Sequence, residues 1–304
     1  MTTTLIQMTV LMLCGAAWRV LCPNKLAADQ TRLVLTSVVY YFLLPAMVLE
    51  VLWKADIGWQ SLKFSLLGCS SILLAVFVSG LIAKLLRFQR TQAGAMILAA
   101  AFPNTTYLGL PVLEQAYGGW SRSVVIQMDL FAAAPMVFTV GILLARHYGA
   151  AEKDQPKSRL GFFNAPPFWA ALLAVVLNLN HVPAPLWLAG LLTMLSAAVA
   201  PLMIFSLGLA LSWRAVRWRN LPYIPPVVLI KLMWFPWAGI YIADVLQLEN
   251  PFRAAAILDI AMPSMVLGVV LCDRYQLDSS LYATAVTVTT GLSLLSLPFW
   301  FEVL

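Results

Sequence analysis

Charged residues are scarce in this chain. They make up 11% of its 304 residues, against roughly 25% in a soluble domain. The scarcity excludes a water-soluble globular domain. Nineteen Lys and Arg outnumber thirteen Asp and Glu, for a net charge of +6. The basic residues are scattered singly between apolar runs, so they form no nucleic-acid footprint and no nucleic-acid partner is expected. They suit short cytoplasmic loops facing anionic lipid. Histidine is nearly absent: His147 and His181 stand far apart, both at ends of apolar runs, without metal-ligand company. No Ser/Lys or Asp pair stands out for catalysis either, so an embedded enzyme is not expected. The four cysteines, Cys14, Cys22, Cys69 and Cys272, show no CxxC spacing. They read as buried, inert thiols, with no disulfide framework and no structural metal. The segment Met1–Met8 lacks a basic n-region, so the first apolar run reads as a membrane helix rather than a cleaved signal peptide. No lipidation motif or appended soluble domain is apparent.

What is abundant is apolar sequence. Hydrophobic residues are 62% of the chain, and the mean hydropathy is +0.86. The expected fold is an all-α polytopic membrane protein. Ten segments have the length that a bilayer core demands: 4–22, 33–53, 62–86, 92–118, 122–146, 164–181, 187–211, 222–246, 252–273 and 279–301. One polar linker, 147–163, separates a first five-helix repeat, 1–146, from a second, 164–304. Fourteen of the nineteen basic residues fall in linkers after odd-numbered helices and four after even-numbered ones, with Lys231 inside helix eight. That bias makes the odd linkers cytoplasmic and puts both termini on the outer face. Five helices per half is an odd number, so the halves insert upside down relative to each other, as inverted repeats. Several tryptophans, among them Trp18, Trp53, Trp59 and Trp187, sit at predicted helix ends as an aromatic belt.

The most informative stretch is 102–111, Phe-Pro-Asn-Thr-Thr-Tyr-Leu-Gly-Leu-Pro. Pro103 and Pro111 each remove a backbone donor and crowd the preceding turn, and Gly109 loosens what lies between. Asn104, Thr105 and Thr106 bring amide and hydroxyl groups to the broken backbone. Broken helices survive in a bilayer only inside protein or beside a water-filled cavity, and they mark transporter binding sites. Helix nine repeats the pattern. Aligning Arg-Ala-Ala-Ala-Ile-Leu-Asp-Ile-Ala-Met-Pro-Ser with helix four puts Pro263 on Pro103 and Ser264 on Asn104. Pro45 in helix two answers Pro201 in helix seven. Helix five is expected to end near Pro135 and helix ten near Pro298. The serines and threonines of helix ten read as self-bonding hydroxyls that permit close packing.

Charges inside a membrane need a reason, at about 2.5–3.5 kcal/mol each on insertion scales. Asp259, one turn before Pro263, can hold Na⁺, carry a proton, or serve as a structural carboxyl. Asp129 is a candidate second ion ligand, or it lies near an aqueous end. Lys231 is a possible counter-ion for a carboxylate or an anionic substrate; alternatively its stem snorkels to the interface. Glu50 is expected at the outer headgroups beside Lys54.

Residues Asn104-Thr105-Thr106-Tyr107-Leu108-Gly109-Leu110-Pro111 resemble the Asn-Thr-Gly-Phe-x-Gly-Leu-Pro signature of the auxin efflux carrier family. That family includes bacterial malonate and malate carriers and plant auxin exporters. Ala261-Met262-Pro263-Ser264 resembles its second crossover, and Pro201-Leu202 with Gly208 its helix seven. Thr106 replaces the family's usual Gly, and Ser264 stands where the plant carriers have Asn. The resemblance covers the whole chain. It implies a scaffold, 1–58 with 164–213, that forms the surface of a homodimer. It also implies a mobile transport domain, 60–146 with 220–302, in which broken helices 4 and 9 cross. Asp259 resembles, by position, an acidic sodium ligand of the more distant bile-acid symporters.

The expected function is secondary active transport of a small organic anion, a mono- or dicarboxylate, by an elevator-type shift. Half-helix N–H groups, with Asn104, Thr105, Thr106 and Ser264, would receive the carboxylate. Asp259 and Asp129 would hold Na⁺ or H⁺, and no other cofactor is expected. The location would be a bacterial inner membrane. The alternative is a channel or receptor-like protein that binds an organic acid without coupled transport.

Overall fold

The computed structural model describes residues 2–21, 26–55, 57–150, 166–210 and 218–304. Most of the expected polar linker, from residue 151 onward, lies outside the described residues, as does Cys22. Among the described residues the chain is nearly all helix. The elements are α1 (Thr2–Leu21), α2 (Ala28–Trp53), α3 (Trp59–Leu85), α4 (Arg90–Ala101), α5 (Leu110–Tyr117) and α6 (Ser121–Tyr148). They continue as α7 (Pro166–Leu179), α8 (Leu186–Ala210), α9 (Trp218–Val245), α10 (Phe252–Ile260), α11 (Gly268–Arg274) and α12 (Ser279–Val303). Six helices, α2, α3, α6, α8, α9 and α12, are long and apolar enough to cross a membrane. The chain is therefore a multi-pass membrane protein.

Outside the breaks at Pro103 and Pro263, prolines shape these helices without ending them. Widened helical turns at Val39–Leu43, Thr105–Gly109, Asp129–Ala133 and Leu229–Trp234 each stop two residues before a proline: Pro45, Pro111, Pro135 and Pro236. A proline cannot donate to the carbonyl one turn back, and its ring crowds that carbonyl. A wider turn moves the carbonyl aside and lets the helix continue. In α9 the carbonyl that Pro236 leaves free is that of Leu232, and it accepts the Trp300 Nε1–H at 2.7 Å. The expectation that helices five and ten end near Pro135 and Pro298 is corrected: α6 runs on through its widened turn to Tyr148, and α12 continues through Pro298 as regular helix to Val303. A further widened turn, Val137–Gly141, has no proline after it and no cause in this pattern.

The chain divides into two units. Unit 1 comprises Met1–Ser61, Thr106–Ile126 and Leu160–Leu211. In it, α1 and α8 cross at Gly15 and Gly208, whose Cα atoms leave no room for side chains. A Cβ on Gly208 would stand 2.0 Å from the Met12 carbonyl oxygen. Small residues permit this approach where hydrophobicity cannot drive helices together in lipid. Arg19 Nε donates to the Leu209 carbonyl at 2.7 Å, and its guanidinium pairs with Asp29. The end of α2 is capped by Asn178, whose amide donates to the carbonyls of Leu52, Trp53 and Ala55 at 3.1, 2.9 and 2.8 Å. These are the orphan carbonyls of a helix C-terminus. Glu50 accepts from the Thr193 hydroxyl and lies 3.8 Å from Lys54. Cys14 is exposed, against the expectation of a buried thiol, because it faces outward on α1; Cys69 is half-buried and Cys272 buried.

Unit 2 comprises Leu62–Thr105, Gln127–Arg159 and Ser212–Leu304. Every residue of α4 from Ala93 to Ala101 is buried, as is every residue of α10 from Ala254 to Ile260. Alanines and glycines make that burial possible. A Cβ on Gly94 would lie 2.6 Å from Tyr148 Cβ, and one on Gly239 would lie 2.7 Å from Ile260 Cδ1. Unit 2 thus surrounds two short helices, α4 and α10, both of which end in the membrane-length register where the sequence places a proline.

Candidate functional site

The two breaks meet. α4 stops at Ala101, and Phe102 turns extended at φ −99°, ψ 118°. α10 stops at Ile260, and the chain runs non-helical to Leu267. The extended pieces pair antiparallel, Pro103 opposite Ser264. The Asn104 N–H donates to the Pro263 carbonyl at 2.8 Å, and the Met265 N–H donates to the Phe102 carbonyl at 3.0 Å. Pro103 lies between these two bonds, at a position where an antiparallel pair needs no N–H. Pro103 thus occupies a place where its missing donor costs little, while Pro263, opposite Asn104, accepts that residue's N–H but cannot return the reciprocal bond.

Around the pairing, α12 supplies two supports that sequence reasoning did not single out. The Ser264 N–H donates to Thr289 Oγ1 at 3.2 Å, while that hydroxyl donates to the Ala285 carbonyl at 2.7 Å. Tyr282, fully buried, donates its hydroxyl to the Met265 carbonyl at 2.7 Å. It also packs against Gly268, where a Cβ would stand 1.9 Å from the phenol oxygen. The hydroxyls of Thr284, Thr287, Thr289 and Ser293 bond their own backbone, as expected, while those of Thr290 and Ser296 do not. A hydroxyl that donates to its own helix still has lone pairs for a neighbour, and Thr289 uses one. The density of threonine in 284–290 was the available signal.

Each residue singled out in the sequence has a defined place. Pro103, Asn104, Pro263 and Ser264 are buried at the pairing, with Asn104 1% and Ser264 0% exposed. Thr105 is buried beside them, and Thr106 is half-buried. Thr106, Gly109 and Pro111 fall in unit 1. Asp259 is buried near the end of α10, and Lys231 is buried on the widened turn of α9. Asp129 is half-buried and opens the widened turn of α6. The charges of Asp129 and Lys231 both act on the Asp259 carboxyl. Lys231 does not snorkel: its ammonium rests 3.9 Å from the centre of the buried Phe235 ring.

Several buried polar atoms have no hydrogen-bond partner in the protein. In unit 2 they include both polar side-chain atoms of Asn104, Ser264 Oγ, Thr290 Oγ1, Asp259 Oδ1 and Lys231 Nζ. Such groups are rare in protein interiors, and each costs about 1–3 kcal/mol if left unmade. By contrast, the backbone amides expected to greet a carboxylate are partly engaged, since those of Asn104, Ser264 and Met265 are all taken within the protein. The chemistry on offer at the pairing is therefore a side-chain amide and hydroxyls, which both donate and accept.

This geometry accompanies a family assignment. Residues 1–301 match the family described as membrane transport protein. An uncharacterized transporter of Methanothermobacter thermautotrophicus is 31% identical over 309 residues, covering 100% of this chain and 98% of its own. The uncharacterized transporter MJ1031 of Methanocaldococcus jannaschii is 26% identical over 280 residues, 88% of each chain. The uncharacterized transporter YfdV of Escherichia coli K12 is 22% identical over 222 residues, 71% of this chain and 70% of its own. The chain belongs to the membrane transport protein family, the auxin efflux carrier family that residues 104–111 resemble.

Proposed function

We propose that this membrane transporter is a secondary active carrier of a small organic anion, a mono- or dicarboxylate. The observation that carries the reading is the pairing of the two broken helices, Pro103 opposite Ser264, with the Asn104 amide and the Ser264 hydroxyl buried and unpartnered. An amide N–H and a hydroxyl match the two oxygens of a carboxylate, and Thr105 lies next to them. Broken helices at mid-depth are where transporters bind substrate.

In this reading the chain forms ten membrane helices in two inverted five-helix repeats, 1–146 and 164–304, with both termini outside. α4 with α5 and α10 with α11 are the broken fourth and ninth helices. Segments 1–58 and 164–213 act as the scaffold and the homodimer surface, and 60–146 with 220–302 as the mobile domain of an elevator mechanism. Asp259, helped by Asp129, serves coupling to Na⁺ or H⁺, with Lys231 as the fixed positive charge nearby.

A thermal-shift screen of the purified protein against dicarboxylates and aromatic acids, with and without Na⁺ and at two pH values, tests the reading. A ligand that binds only the folded state at 100 times its Kd adds about 2.7 kcal/mol. Stabilisation by at least one carboxylate, lost in Asn104→Ala, is expected. No response to any acid in the screen would remove the organic-anion assignment.

A further inference from the structure

We infer that one end of unit 2 is a docking surface for an anionic phospholipid leaflet, with Lys84, Arg87, Arg90, Arg146, Arg219 and Arg274 as the groups that meet lipid phosphate. The inference is independent of the carrier reading. These residues come from four separate stretches of the chain, and all belong to unit 2. Packing gathers the stretches. Arg90 Nε donates to the His147 carbonyl at 2.9 Å, which sets the start of α4 beside the end of α6. A Cβ on Gly149 would collide with the Tyr275 carbonyl oxygen, which brings the end of α11 to the same place. The Asp278 N–H donates to the Thr91 carbonyl at 3.3 Å. The start of α9 joins through two contacts. The Phe88 and Tyr223 rings meet edge to face with centres 4.8 Å apart, and the Asn220 amide donates to Ser280 Oγ at 3.0 Å.

All six basic side chains are exposed, and among the described residues none has a carboxylate partner. The acids at this end are Asp273, which is exposed, and Asp278, whose carboxylate accepts the Leu281 N–H at 2.9 Å as the cap of α12. The far ends of α3, α9 and α12 differ. There Lys63 donates to the Gln247 carbonyl, Arg253 pairs with Asp244, and Glu249 and Glu302 are exposed. Uncompensated positive charge therefore lies at one end alone.

Apolar neighbours identify the occupant as a membrane rather than a soluble anion. Leu85 and Leu86 lie between Lys84 and Arg87, Leu143 stands one turn before Arg146, Trp218 adjoins Arg219, and Val270 stands one turn before Arg274. Each is more than half exposed. At a bilayer boundary such side chains enter the acyl region while long basic ones reach out to the phosphates. A soluble phosphate would leave them in water. Five of the six bases are arginines, whose planar fork takes two phosphate oxygens at once.

The test uses the full-length purified protein in a neutral detergent, with phosphatidylglycerol or phosphatidylcholine added and retained lipid counted by native mass spectrometry. The wild-type protein is expected to hold phosphatidylglycerol at least about a hundredfold more tightly than phosphatidylcholine. At roughly a factor of five per base, Arg146→Gln should reduce that preference about fivefold, and Arg87→Gln, Arg146→Gln and Arg274→Gln together about a hundredfold. Lys63→Gln removes the same charge as Arg146→Gln but at the far end, beyond a Debye length, and should stay within about twofold of wild type. Equal retention of the two lipids, a triple variant that keeps the preference, or a loss in Lys63→Gln as large as in Arg146→Gln would overturn the inference. Displacement of phosphatidylglycerol by an equal concentration of glycerol 3-phosphate would also overturn it, because a soluble anion would then be the ligand. If the triple variant cannot be purified, the three single variants are read separately; a loss of about fivefold in each supports the surface, and no loss in any overturns it. The carboxylate screen is independent of this end. A protein that binds no acid but prefers anionic lipid loses the carrier reading alone. A protein that binds an acid without that preference loses this inference alone.

Discussion

Replacing Thr289 by valine removes one oxygen from the interior of unit 2 and almost no volume. In the native protein that oxygen accepts the Ser264 N–H at 3.2 Å, and Thr289 is 0% exposed. The Thr289 hydroxyl's own bond to Ala285 adds little to the α12 ladder, since the backbone there is already helical. The loss is therefore that of one acceptor, which leaves a buried amide unmade at a cost of about 1–3 kcal/mol. At 2–4 °C per kcal/mol for a domain of this size, the melting temperature should fall by roughly 2–12 °C. Because valine fills the same space, no cavity contributes. Thr289→Ser keeps the oxygen and should melt within about 2 °C of the native protein. Scanning fluorimetry on the tryptophans of the purified protein reads both. If the valine variant melts with the native protein while the serine variant is the less stable, Thr289 acts by packing and the hydrogen-bond account of the second break is wrong.

Two further perturbations address the packing around the breaks and in unit 1. Tyr282→Phe removes the donor to the Met265 carbonyl and should cost about 1–3 kcal/mol; an unchanged denaturation midpoint would mean that this bond does not hold the second break. Gly208→Val places a side chain where a Cβ already stands 2.0 Å from the Met12 carbonyl oxygen. Overpacking against backbone should cost at least about 3 kcal/mol, seen as loss of the monodisperse peak in detergent; a native-like peak would refute the close α1–α8 crossing.

Much of the fold was legible because its signals are local. Lipid demands long apolar helices, and hydropathy alone marked α2, α3, α6, α8, α9 and α12. Pro103 and Pro263 marked the breaks because a proline in an apolar run has a predictable local effect. The same locality explains what was missed. Pro135 and Pro298 looked like helix ends, but a widened turn carries α6 past Pro135, and α12 runs on through Pro298 as regular helix to Val303. Thr289 and Tyr282 could not be tied to the breaks, because their partners lie 25 and 17 residues away in sequence. Nor could sequence tell that the N–H groups at the pairing would donate to the Pro263 and Phe102 carbonyls and the Thr289 hydroxyl, leaving the Asn104 and Ser264 side chains as the free groups. Lys231 was ambiguous for a similar reason. Its burial depends on the packing of its turn of α9 against α4 and α12 and on Phe235 beneath the ammonium, not on its own position in the helix.

The central claim is that the Asn104 amide at the helix pairing binds the transported anion. It is tested most directly by counterflow in proteoliposomes loaded with the carboxylate that stabilises the protein most. The native protein should accumulate the radiolabelled acid with saturable, slow kinetics. Asn104→Ala, inserted and melting like the native protein, should show no uptake above empty vesicles. Native-like counterflow from Asn104→Ala, or non-saturating flux from the native protein, would contradict the account.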